Sequence, residues 1–248
     1  IDNRQKITNL TKEQIIKICN REFIGCDQLI LIETDKSADA NLKFYNSDGG
    51  ESEACGNGTR CVADFISKEL NNKSIVLKTL SGNLKSEILE KNIVTTEIGK
   101  AKIEWNEIPL SEKLNTKNLN IKINDKNNKE YSGGTAVNVG NPHVVFFVSE
   151  IENFDIKKIG PSIENHKFFP EKCNVTIAQV IDKNLIKVKV WERGAGLTKA
   201  CGTAACATAF AGKLNNLTNN KTDIEFENGK LTISIDEKNS IHMRGPVS

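Results

Sequence analysis

Two cysteines in this sequence sit in matching surroundings. One is flanked as Ala54-Cys55-Gly56 and the other as Ala200-Cys201-Gly202. Each has a glycine five residues upstream, Gly50 or Gly196, and is followed by a second cysteine and a phenylalanine, Cys61 and Phe65 or Cys206 and Phe210. Each glycine-bearing turn leads into apolar residues at helical spacing. A cysteine at a helix start meets unpaired N–H groups and the positive end of the helix dipole, which favour thiolate. The same N–H groups can hold a carboxylate. A thiolate on one side of a carbon and a thiol on the other can take a proton from one face and return one to the opposite face. The outcome is an inverted stereocentre.

Other polar residues gather near these turns. Asn46 precedes the first cysteine by nine residues and Glu192 precedes the second by nine. Arg193, beside Gly194, has the guanidinium that grips a carboxylate in bidentate fashion, although Glu192–Arg193 reads equally as a surface ion pair. Gly140-Asn141-Pro142-His143 forms a turn into an apolar run, and His143 taken alone reads as structural. A thiol hydrolase built on Cys55, His143 and Asn141 is the rival from another enzyme class, and it leaves Cys201 without a role. Zinc would require C-x2-C pairs, whereas the spacings here are C-x5-C and C-x4-C, so no metal is expected. Cys61 and Cys206 read as core residues, and Cys19, Cys26 and Cys173 as buried or incidental.

The elements that must position these residues are legible from periodicity and capping. Thr11 to Gln14 fits a capping box opening a helix over 12–22, and a second helix is expected over 59–70 and a third over 203–214. Strands are expected at 28–33, 42–46, 75–80, 84–89 and 93–98, then at 135–139, 144–148, 175–181, 186–191, 223–227, 231–235 and 240–243. The Lys-, Asn- and Ser-rich stretch 111–134 reads as a linker or exposed excursion with one strand at 119–123. Many strands with one cysteine-led helix, a break, and the same again suggest an internal duplication. Two similar halves would bring Cys55 and Cys201 to one cleft.

Length and composition set limits on the function. The 248 residues suit one large domain or two compact ones, and 38% hydrophobic content suffices for a core. A formal charge of +2 gives no reason to expect nucleic acid or an anionic membrane as partner. No apolar run reaches the roughly 18 residues of a membrane span. The opening IDNRQKITNLTKEQ is polar and does not read as a signal peptide. Seven cysteines without an export signal read as thiols in a reducing compartment.

The residues also carry a family likeness. The block from Asn46 through Cys55-Gly56-Asn57-Gly58 to Ala63 resembles the first active-site block of the diaminopimelate epimerase family, and Trp191-Glu192-Arg193 through Cys201-Gly202-Thr203 to Cys206 resembles the second. Gly140–His143, Gly160–Pro170 and Gly25-Cys26-Asp27-Gln28 are similar to the family's other segments, in the same order. The resemblance implies an epimerase that needs no cofactor and interconverts LL- and meso-diaminopimelate for lysine and peptidoglycan synthesis, working in the cytoplasm as a homodimer. It implies an α/β (α+β) fold of two pseudo-symmetric lobes, each a curved, mostly antiparallel sheet around a central helix, with the active site in the cleft between them. The lobes would be 1–100, joined by the C-terminal strand 241–248, and 101–240. By match, Cys55 and Cys201 are the acid/base thiols, assisted by His143 and Glu192. Gln28, Asn46, Asn141, Asn174, Glu192 and Arg193 bind the substrate's polar groups, and Gly56, Asn57, Gly202 and Thr203 hold the reacting α-carboxylate through their N–H groups. Leu197, Lys199 and Ala204 depart from the usual Glu, Leu and Gly. A proline or hydroxyproline racemase is the near rival, and a bilobal amino-acid-binding protein is the rival without catalysis.

Overall fold

In a computed structural model of the chain, Thr11 accepts the N–H of Gln14 at 3.3 Å and Gln14 Oε1 accepts the N–H of Thr11 at 2.9 Å. This capping box opens α1 (Lys12–Cys19). The structure describes residues 1–52, 55–80, 82–90 and 92–247. Glu53 and Ala54 of the first motif and Ser248, the last residue of the expected C-terminal strand, lie outside them. The helix stops three residues before the expected end, because Asn20 turns to extended backbone and Gly25 takes φ +77°.

The chain divides into two compact units, Ile1–Glu97 with Pro246–Ser248, and Ile98–Gly245. In the first, β1 (Gln28–Glu33) and β2 (Ala40–Asn46) pair antiparallel from Gln28↔Asn46 to Glu33↔Asn41, and β3 (Glu51–Ser52) folds back on β2. Helix α2 (Gly56–Leu70) carries the chain to β4 (Ser74–Thr79), which lies parallel to β2. β5 (Gly82–Glu90) and β6 (Ile93–Lys100) extend the sheet, in the order β1-β2-β4-β5-β6. Val62, Ala63 and Ile66 of α2 pack on Leu42, Phe44, Ile75 and Leu77, all buried.

In the second unit, β7 (Ile121–Asn124) and β8 (Glu130–Gly133) form a separate hairpin. β9 (Thr135–Asn138) and β10 (Pro142–Val148) follow, then a single 3-10 turn at Ile151–Asn153, α3 (Ile156–Glu164), β11 (Asn174–Asp182) and β12 (Leu185–Glu192). β13 (Gly196–Thr198) pairs with β12 and leads into α4 (Gly202–Leu214). β14 (Lys221–Phe226), β15 (Gly229–Ile235) and β16 (Ser240–Pro246) complete the order β16-β15-β14-β12-β11-β10-β9. Pairing is antiparallel except for β10 with β11 and β12 with β14. Each cysteine-led helix therefore bridges two parallel neighbours, β2 and β4 or β12 and β14. The fold is mixed α/β, dominated by sheet.

Two features differ from the sequence reading. The stretch 111–134 is no linker. Leu119, Ile121 and Ile123 are buried with Ile108 and Leu110 against Ile156, Ile159 and Ile163 of α3, in a core of their own. Asp125 makes the hairpin turn by accepting the N–H groups of Asn127 at 2.8 Å and Lys129 at 2.9 Å. Helix α3 was signalled by Asp155, which caps it, and by the spacing of those isoleucines, but Gly160-Pro161 argued against a helix there. Among the described residues no helix is long and apolar enough to cross a membrane.

Candidate active site

In the first unit, the Gln28↔Asn46 pair at the mouth of the β1–β2 hairpin sets two amides side by side. Gln28 Nε2 donates to Asn46 Oδ1 at 2.9 Å and to Ser52 Oγ at 3.3 Å. Cys55 is the N-cap of α2. Its carbonyl accepts the Thr59 N–H at 2.8 Å and hydroxyl at 2.9 Å, while its side chain caps nothing. The sulfur stands at the helix start, half-buried against Ile30. Gly58 is what allows this. A Cβ there would lie 2.2 Å from Ile30 Cδ1 and 3.0 Å from Cys55 Sγ. Gly56 and Asn57 occupy the first turn, where helix geometry leaves N–H groups without intrahelical partners. Asn57 Oδ1 accepts from Arg60 Nη2 at 3.0 Å.

In the second unit, Cys201 is the N-cap of α4 and is buried. Its sulfur lies 3.4 Å from Thr203 Oγ1. The helix start by itself favours a thiolate, but two other effects oppose it here. Burial pushes the Cys201 thiol well above its ordinary range, and the neighbouring Glu192 carboxylate adds to the rise. The Thr203 hydroxyl and the Ala204 N–H at the helix start pull the other way and lose. Removing the sulfur from water costs the charged form more than the helix end returns.

His143 is fully buried, and its Nε2 is 2.8 Å from Asn141 Oδ1. Burial, followed by the nearby Arg193 charge, lowers its pKa to about 3, so the imidazole is neutral. Among the described residues its Nδ1 has no hydrogen-bond partner. Asn174, beside His143 in the β10–β11 ladder, donates to Pro142 O at 3.0 Å and accepts the Arg193 N–H at 3.0 Å. Arg193 Nη1 donates to Glu171 O at 3.0 Å. The expected second-unit residues thus fall into two groups, Asn141, His143, Asn174 and Arg193 in one, and Glu192, Cys201 and Thr203 in the other. Gly202 is buried at the head of α4.

One reading of the lesser residues needs revision, and one residue was missed. Cys206 is buried as expected, but Cys61 is exposed, because it lies on the face of α2 turned from the sheet. Glu164, which drew no attention in the sequence, is buried. It accepts the Trp191 Nε1–H at 2.7 Å and the Gly194 N–H at 3.0 Å. Its only sequence signal was membership of the Gly160–Pro170 segment. Among the described residues no group of three His, Cys, Asp or Glu side chains is placed to hold a metal ion.

The family model described as diaminopimelate epimerase matches residues 1–104 and 135–248. A curated diaminopimelate epimerase of Pelagibacter ubique is 67% identical over 100% of this chain and 90% of its own length. One from Zymomonas mobilis is 40% identical over 91% of this chain and 80% of its own. Among solved structures, a phenazine biosynthesis protein of Bacillus anthracis superposes with a TM-score of 0.65 over 99% of this chain and 88% of its own, at 15% identity. At that identity the likeness speaks to the fold alone.

Proposed function

The chain belongs to the diaminopimelate epimerase family, and from that premise we propose that it interconverts LL- and meso-2,6-diaminopimelate by moving a proton between Cys55 and Cys201 across one α-carbon, with no cofactor. The observation that carries this is the repeated placement of a cysteine at the N-cap of a strand-bridging helix. In each half-reaction a thiolate takes the α-proton. The C–H bond breaks, an S–H bond forms, and the electron pair stays on carbon, spread into the α-carboxylate. The opposite thiol then gives its proton to the other face. The first-turn N–H groups of Gly56, Asn57, Gly202 and Thr203 are the groups suited to the charge that develops on the carboxylate. Burial and Glu192 favour a resting Cys201 in the thiol form, ready to donate.

The remaining assignments follow the same premise. Neutral His143 and Glu192 assist at the reacting carbon. Gln28, Asn46, Asn141 and Arg193 bind the substrate's polar groups, and Asn174 serves through Arg193, to whose N–H it is bonded. The lobes carrying the two thiols are proposed as 1–100 with 241–248 and as 101–240. Supply of lysine and peptidoglycan precursors, a cytoplasmic setting and a homodimer belong to the same reading.

The test is solvent isotope exchange. Protein with reductant is incubated with LL-diaminopimelate in deuterated buffer and followed by NMR. Deuterium enters the α-position as meso product grows, and Cys55→Ala or Cys201→Ala abolishes the conversion. Absence of exchange in the unsubstituted protein overturns the reading, and indifference to Cys201→Ala returns the thiol hydrolase.

A further inference from the structure

We infer that Glu164 is a positioning residue, whose carboxylate fixes the 191–194 turn and so holds Glu192 against Cys201; this rests on the reading of Cys201 as a reacting thiol. The turn is clamped on both sides of Glu192. Before it, the Trp191 indole N–H donates to Glu164 Oε2 at 2.7 Å, and the indole packs against Gly160, where a Cβ would come within 2.4 Å of Trp191 Cγ. After it, the Gly194 N–H donates to Glu164 Oε1 at 3.0 Å, and Gly194 holds φ +75°. The Ala195 N–H closes the turn on Glu192 O at 3.1 Å. Glu192 itself spans the two bonds and is near enough to Cys201 for its carboxylate to act on the thiol.

The chemistry of the clamp explains the residue type. Both partners are donors, so the group between them must accept at two atoms, and an ionised carboxylate only accepts. Glutamine has nearly the same shape but offers one accepting oxygen, and its amide N–H groups would face one of the two donors. Burying the charge is costly, and it is offset by two N–H donors and by Lys172 Nζ at 3.9 Å. Arg193 is held independently by Asn174 and by Glu171 O, so loss of Glu164 should fall on Glu192 rather than on Arg193.

The test compares Glu164→Gln, Glu192→Gln and the double variant, with two readouts. The first needs no turnover: the rate at which iodoacetamide labels Cys201, followed by peptide mass mapping. Withdrawing a carboxylate from a thiol eases its ionisation, so both single variants should label faster, by up to about tenfold for one unit of pKa, and the double variant no faster than Glu192→Gln alone. The second is turnover. Glu164→Gln should lower kcat with little change in KM, and should add nothing on the Glu192→Gln background. An unchanged labelling rate in Glu164→Gln, or effects that add in the double variant, overturns the inference and leaves Glu164 as packing. Trp191→Phe, which removes one donor and keeps the carboxylate, should give a smaller effect of the same sign and serves if Glu164→Gln does not fold. If the unsubstituted protein fails to turn over diaminopimelate, the functional reading falls while the labelling comparison still decides the clamp.

Discussion

The two cysteine-led helices have the same plan and opposite environments. Helix α2 is amphipathic. It packs on β4 and β5 through one stripe and leaves Cys61 and Phe65 to solvent. Helix α4 is covered by β9, β10, β11, β14 and β15, and every residue from Ala204 to Gly212 is buried. The difference reaches the chemistry. Cys55 is half-buried, whereas Cys201 is buried beside Glu192 and Thr203. One plan thus produces a half-buried thiol and a buried one, and burial raises the pKa of the second.

The position three residues past each cysteine shows how local packing sets the residue type. It is Gly58 in α2 and Ala204 in α4. Only the first faces a side chain, Ile30, that leaves no room for a methyl group. The largest expected effect is therefore from Gly58→Ala. It should displace the Cys55 sulfur and lower turnover by about 10²-fold, as a 1 Å misplacement of a reacting group does. Ile30→Val removes the clashing Cδ1 and should restore much of the loss. Wild-type turnover by Gly58→Ala alone would show that this packing does not place the sulfur. The reciprocal Ala204→Gly should keep turnover and cost only about 0.5–1 kcal/mol of stability in urea unfolding.

The sheltered side should also respond to acid. His143 in the unfolded chain takes up a proton near pH 6.5, while in the fold it does so only near pH 3. The unfolded state binds more protons between these values, so stability falls as pH drops through that window. Urea midpoints for the wild type should fall more from pH 7 to pH 5 than those of His143→Gln, and equal slopes would remove His143 as the cause. At the alkaline end the sign is the same in form. The raised Cys201 thiol means that the unfolded chain loses its proton first, so stability falls as pH rises past the ordinary thiol value of 9.0. Cys201→Ala should flatten that limb.

The smallest effects separate the second cysteines. Cys206→Ser puts a hydroxyl among the apolar groups around α4 and should cost about 1–3 kcal/mol. Cys61→Ser should stay within about 0.5 kcal/mol. Similar costs for both would mean that the two helices are equally sheltered.

The short apolar run Leu29–Ile32 placed β1 on its observed residues, and the Thr11–Gln14 pair placed the start of α1, because caps and short strand runs act between residues close in the chain. The spacing of the cysteines, glycines and phenylalanines exposed the repeated plan for the same reason. The sequence also held a clue to the asymmetry that the reading of Cys61 and Cys206 as equivalent passed over. The run Ala204, Ala205, Ala207, Ala209 and Ala211 is apolar around the whole helix, as a fully covered helix must be. What the tertiary structure alone decided is the ionisation of Cys201, the neutrality of His143, the core beneath the β7–β8 hairpin and the clamp at Glu164. Each depends on groups brought together from distant segments, and the cost of removing a charge from water is set by all of them at once. Sequence determined which groups could do the chemistry, and packing determined the protonation state in which they wait.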